Sequence, residues 1–239
     1  MDKSQLRDMG IRAANIAMEE WRYFGSQFVD GEDSSLPIKC TSSNHGTLGS
    51  GDSPGYQERV WSYFRHGVFD GDRSIEVSGQ SENGEEEWLN YKSWAWSGAF
   101  ISYCFRQAGA GSYFPYSPAH HKYMMAGVIN RLNGTAGPIT CDIDERQPQI
   151  GDLVWKGRLE SRGWSYSKLR DHAKIDAGSF RPHCDLVVDI NQNNNELFLI
   201  GGNVRNSVLR LKLELDEKGM IKSNVYSAML CLNCVDDLS

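Results

Sequence analysis

The chain has 239 residues, of which 40% are hydrophobic and 23% charged, with a formal net charge of −6. That length fits one large domain or two small ones, and the apolar share can build a sizeable core. Net acidity without a basic run argues against nucleic-acid binding, and no apolar stretch is long enough to span a membrane.

The N-terminus, Met1-Asp2-Lys3-Ser4-Gln5-Leu6-Arg7-Asp8-Met9, lacks the basic-then-apolar pattern of a secretory signal. The expectation is a protein made in the cytoplasm that either stays there or leaves by a non-classical route. Six cysteines then default to reduced thiols. Cys231-Leu232-Asn233-Cys234 is a lone CxxC after a strand-like run, so it reads as structural or incidental.

In chain order, Ala13, Ile16, Ala17, Trp21 and Phe24 recur at helical spacing and predict a first helix over about 4–24. Residues 30–55 are rich in Gly, Ser, Asp and Asn and read as a long loop. A second helix is expected over about 55–66, ending near Gly67. A polar loop follows over about 70–88, with the acidic run Glu85-Glu86-Glu87 as a solvated surface. The third helix, about 94–108, carries Ser97, Ile101, Phe105 and Ala108 on one face. A fourth, about 118–132, begins at the cap-like pair Ser117-Pro118 and carries His120, His121, Tyr123 and Met124.

After Pro138 the pattern turns to short β-type runs: Asp152–Trp155, Asp185–Ile190, Glu196–Ile200, Ser207–Leu215 and Val225–Leu232. Asn191–Asn195 and Asp216–Gly219 read as turns. Helices first and antiparallel strands later imply an α+β fold. It is read as a single domain over 1–239, with a helical part (about 4–135) packed on a β part (about 138–235).

Ser97 stands out because the run Trp94-Ala95-Trp96-Ser97-Gly98-Ala99 reads as a loop breaking into a buried helix. A helix start offers unpaired N–H groups and partial positive charge, which favour developing negative charge on a nucleophile. If Ile190 faces Glu196 across the Asn-rich turn, His183 faces Asn203, and opposed side chains are close enough for a carboxamide to hold an imidazole. A one-residue slip would separate them. Asp185, two residues on and on the same face, is the rival orienter. Cys104 lies about 10 Å deeper along the helix than Ser97 and is the poorer nucleophile. Cys184 points away from His183 in a regular strand. Trp96, His121 and Asp185 are the candidates to bind substrate. No spacing suits a metal, and no Gly-rich loop suits a phosphate, so no cofactor is expected.

Trp96-Ser97-Gly98-Ala99-Phe100-Ile101-Ser102, Gln107-Ala108-Gly109, Gly151-Asp152-Leu153-Val154, His183-Cys184-Asp185-Leu186-Val187-Val188 and Ile200-Gly201-Gly202-Asn203-Val204 follow one another in a familiar order. The chain resembles the NlpC-type and CHAP branch of the papain-like superfamily, nearest to an uncharacterised bacterial family at its edge. The resemblance covers about residues 10–230. It implies a helix-borne nucleophile packed on a small antiparallel sheet or half-barrel, with Ser97 as nucleophile, His183 as base and Asn203 as orienter.

Many relatives cleave amide bonds in peptidoglycan stem peptides. Some are antibacterial toxins injected by type VI secretion, which fits the missing leader. The resemblance therefore implies a peptidoglycan amidase or endopeptidase acting in the periplasm of a target cell, with an immunity protein and a secretion-apparatus component as partners. Better-known relatives place cysteine where this chain has Ser97, and a hydroxyl is far harder to ionise than a thiol. Three readings stay open: a natural serine nucleophile, a cysteine changed to serine, or a catalytically inactive module that binds cell-wall peptide or a protein partner.

Overall fold

A computed structural model describes residues 1–32, 39–40, 55–69, 95–175 and 178–232. Most of the two loops expected over 30–55 and 70–88, together with Trp94 and Cys234, lie outside the described residues.

Helix α1 spans Lys3–Tyr23. Asp2 and Gln5 open it with a capping box, each side chain accepting from the other's backbone N–H at 2.9 Å. Its buried face carries Leu6, Met9, Ala13, Ala17 and Trp21, as the spacing predicts. Helix α2 (Tyr56–Tyr63) runs on into a π-turn at Phe64–Val68. Helix α3 (Ser97–Gln107) is buried almost all round, which makes it the central helix of the layer. Helix α4 covers His120–Asn133 and starts two residues later than Pro118, with Ala119 as its N-cap. Gly134, in the left-handed region, ends it.

The strands are β1 (Gln27–Asp30), β2 (Lys39–Cys40), β3 (Ile139–Asp142), β4 (Leu153–Gly157), β5 (Pro182–Asn191), β6 (Glu196–Val204), β7 (Ser207–Leu215), β8 (Ile221–Lys222) and β9 (Tyr226–Cys231). They form one sheet in the order β2-β1-β7-β6-β5-β4-β9-β3, with β8 also on β7. All pairings are antiparallel except β1 on β7. The architecture is α+β. The sequence reading missed β1, β2, β3, β8 and the short helix α5 (Tyr166–Lys174), so the division into a helical and a β part is not clean: the first helical stretch contributes two strands, β1 and β2, to the sheet.

Two apolar clusters flank the sheet. Cys184, Leu186 and Val188 join the helices around Phe100 and Tyr123. Val187 turns the other way, with Val154, Leu199 and Met229. The β5–β6 register differs from expectation at the turn, where Asn191 faces Glu196 and Ile190 faces Leu197. An irregularity between Val187 and Asp189 then shifts the pairing, so that Leu186 faces Ile200. This is the pairing that the expected register would give at that point. The extra residue of the bulge cancels the one-residue error.

Candidate active site

Ser97 is the first residue of α3, and Trp96 before it is the N-cap, without a side-chain hydrogen bond to the helix. The Trp96 indole is buried against the rings of Phe24 and Tyr63, each at 5.9 Å, and its N–H donates to Asn206 Oδ1. Trp96 thus fixes where the helix begins. Ser97 is buried, and its Oγ lies 2.7 Å from His120 Nε2.

Two features bring the starts of α3 and α4 together. Ser102 Oγ donates to the Ser117 carbonyl and accepts from its N–H, at 2.8 and 3.0 Å. Gly98 allows the Pro118 carbonyl to approach the helix backbone; a Cβ there would stand 2.2 Å from that oxygen. His120 follows two residues after Pro118 and meets Ser97.

Tyr123, one helical turn beyond His120, holds His120 Nδ1 with its hydroxyl. Burial, and then the neighbouring His183, push His120 well below the ordinary histidine range, so its imidazole is neutral at neutral pH. Burial raises Tyr123, which stays protonated.

His183 meets His120 edge to face at 5.2 Å between ring centres. Strand alternation puts His183 and Asp185 on one face, and His183 Nε2 lies 2.9 Å from Asp185 Oδ1. The other carboxylate oxygen accepts from Tyr226 Oη and lies 3.4 Å from Lys156 Nζ, which itself donates to Tyr226 at 2.8 Å. Burial opposes the charge on Asp185, but His183, Lys156 and Tyr226 outweigh it and hold the carboxyl well below the usual range. An ionised Asp185 only accepts, so His183 presents an N–H to it from Nε2. His183 Nδ1 is buried and has no hydrogen-bond partner among the described residues. Gly201 leaves room for this pair: a Cβ there would stand 1.9 Å from Asp185 Oδ1 and 3.0 Å from His183 Nε2.

Of the six residues singled out in the sequence, Ser97, His183 and Asp185 therefore fall in one cluster, with Trp96 beside it. Asn203 is half-buried with φ +55°, where the β6–β7 pairing shifts between Gly201 and Val204. No hydrogen bond between described residues joins it to His183, whose Nε2 is taken by Asp185. The backbone leaves the extended conformation at Asn203, so strand arithmetic no longer carries its side chain to the point opposite. His121 packs on Phe180 at 5.7 Å, apart from Ser97, and burial lowers its pKa.

Sequence reasoning missed His120 as the direct partner of Ser97, and with it Tyr123, Lys156 and Tyr226. The i, i+3 pair His120/Tyr123 just after a Ser-Pro helix start was the available signal. Cys104, buried in α3, has a thiol pushed up by burial, and so does Cys184. Among the described residues no group of three or more His, Cys, Asp or Glu is placed to hold a metal ion, and no helix is long and apolar enough to cross a membrane.

No curated protein and no solved structure matches the chain. A family model does match, over residues 52–232, a stretch that includes every member of this cluster, and the chain belongs to that family of uncharacterized proteins conserved in bacteria (DUF2272).

Proposed function

We propose that this protein is a hydrolase that opens amide bonds through Ser97, with peptidoglycan stem peptides as its substrate class. The observation that carries the reading is the 2.7 Å approach of Ser97 Oγ to a neutral, buried His120 at the start of a central helix. A serine hydroxyl needs a neutral base within hydrogen-bond reach, and this site supplies one.

In the proposed reaction Ser97 Oγ attacks the substrate carbonyl carbon while its proton passes to His120 Nε2. Backbone N–H groups in the first turn of α3 face the developing oxyanion. The C–N bond breaks, the amine leaves with that proton, and an acyl-serine remains. Water then attacks the acyl carbon, giving its proton to an imidazole and returning Ser97 to its hydroxyl form. Asp185 fixes the tautomer of His183, and His183 Nδ1 is the second proton acceptor of the site.

A helix-borne nucleophile against an antiparallel sheet that carries a histidine–acid pair supports a papain-like relationship. The peptidoglycan substrate and the antibacterial role follow from that relationship. An effector of this kind is exported by a non-classical route to the periplasm of a target cell. An immunity protein and a secretion-apparatus component are its expected partners.

The test is incubation of purified protein with peptidoglycan, with detection of newly exposed amino groups and mass analysis of released peptides. Ser97→Ala and His120→Ala should each abolish release while keeping the native circular dichroism spectrum. Equal release by wild type and Ser97→Ala rejects the mechanism.

The serine at a position where better-known relatives carry cysteine favours one second reading, a papain-like module that binds cell-wall peptide without turnover. It predicts sedimentation with peptidoglycan by wild type and Ser97→Ala alike, and no release by Ser97→Cys.

A further inference from the structure

We infer that Cys141 and Cys231 form a site of oxidative cross-linking, which a small-molecule disulfide converts into a bond between β3 and β9. Cys141 Sγ and Cys231 Sγ lie 3.0 Å apart as reduced thiols, 90 residues apart in the chain. The two strands are neighbours, with Cys141 facing Met229 and Cys231 facing Ile139, so the cysteines are diagonal partners. Both turn to the same face of the sheet, in the cluster with Val154 and Met229. Thr140 shows the orientation independently: its hydroxyl donates to the Met124 carbonyl of α4, so its neighbour Cys141 points away from the helices.

A disulfide needs an S–S distance of about 2.0 Å, and its Cβ atoms must be about 3.5–4.5 Å apart. The sulfurs are thus about 1 Å from bonding distance. The backbone pairing that holds them there is already made. Both thiols are buried, but β3 is the last strand of the sheet. Edge strands open locally at lower cost than central ones, which gives an oxidant its way in through Cys141.

The step balances as thiol–disulfide exchange. The Cys141 thiolate attacks one sulfur of a glutathione-type disulfide, forming a mixed disulfide and releasing one small thiol. The Cys231 thiolate then attacks Cys141 Sγ, the mixed bond breaks, and the second small thiol leaves with the remaining proton. One oxidant disulfide is reduced to two thiols as one protein disulfide forms. The inference does not depend on the activity proposed for Ser97, because the pair lies in a different apolar cluster from Tyr123, the residue that holds His120.

The experiment incubates the full-length protein with oxidised glutathione, in buffer and in mild urea that opens the sheet edge. Remaining thiols are then alkylated, and unreduced peptides are mapped by mass spectrometry. The expected result is a peptide pair cross-linked between Cys141 and Cys231. The melting temperature should rise by roughly 5–15 °C. Dithiothreitol should reverse the rise, and Cys141→Ala should not show it. Cys231→Ala should stop the reaction at a glutathione adduct on Cys141, a readout that survives even if that variant is less stable. Alkylation of both cysteines after oxidation in urea, or pairing of Cys231 with a different cysteine, overturns the inference.

Discussion

Gly98 and Pro118 pack so closely that any side chain at residue 98 would stand 2.2 Å from the Pro118 carbonyl oxygen and 3.0 Å from Ala119 N. These atoms are backbone and cannot swing aside. The contact sets how near Ser97, at one side of Gly98, comes to His120, just beyond Ala119.

Gly98→Ala should therefore act on the site through spacing. The methyl must push the start of α4 from α3, and the 2.7 Å approach of Ser97 to His120 opens. A displacement on the order of 1 Å at a reacting group costs about 10²-fold in rate, and overpacking of this kind costs about 1–3 kcal/mol of stability. Turnover and thermal unfolding of the variant check both. Full activity would mean that Ser97 and His120 need not stay in contact.

The pH profile should report His120. Its folded-state pKa lies well below the ordinary histidine value, because burial and then His183 disfavour the cation. A base is lost when it is protonated, so the acid limb of kcat should fall below pH 6.5. The sign for stability is also fixed. Below about pH 6.5 the unfolded chain binds a proton at residue 120 that the folded chain refuses, so this histidine lowers stability as pH falls from there towards its folded pKa. Urea unfolding at pH 7 and pH 5, compared between wild type and His120→Gln, should show a smaller acid loss in the variant.

Much of this site is legible in the sequence, where local rules govern it. Ser97 at a helix start and Asp185 two residues from His183 follow from periodicity and strand alternation. The His183–Asn203 pairing was the weaker expectation because it extrapolates a register through two irregularities. The first, between Val187 and Asp189, compensates the misplaced turn. The second, between Gly201 and Val204, leaves Asn203 in the left-handed region. His120 was not legible as the partner of Ser97, because their meeting depends on two helix starts being drawn together by Ser102, Ser117 and Gly98. Strand β1 was missed for a related reason: its parallel pairing with β7 joins Phe28 to Arg210, far beyond local pattern.

Asp185→Asn separates orientation from fold. The neutral amide cannot replace the anion beside Lys156 and can present an N–H to His183 Nε2, which favours the opposite tautomer. Loss of one partner of a buried ion pair costs about 3–5 kcal/mol; Lys156 is a little exposed, so the lower end applies. If His183 serves as the second proton acceptor, turnover should fall by at least about 10²-fold beyond what the unfolded fraction explains. Lys156→Met in the same background should recover stability by removing the orphaned cation, and leave turnover low. Recovery of both would make the pair purely structural.

Glu20→Gln tests a buried network outside the proposed chemistry. Glu20 is almost fully buried on α1 and accepts from Arg59 Nε at 2.8 Å, from Arg59 Nη2, and from Tyr63 Oη at 2.5 Å. It is the charge that joins α1 to α2, and it raises Arg59 to stay a cation. An amide keeps the shape but loses the charge. Arg59 is about a third exposed, so water takes up part of the loss, and the cost should be about 1–3 kcal/mol. Tyr63 also packs against Trp96 and Phe100, the two aromatic residues that seat the first turn of α3. A loosened Tyr63 should therefore reach the site as a modest fall in turnover, far smaller than that of Ser97→Ala. Chemical denaturation and initial rates at a temperature where both proteins are fully folded distinguish the two effects. A loss of activity as large as that of Ser97→Ala in a folded Glu20→Gln would mean that this network governs the position of Ser97 directly.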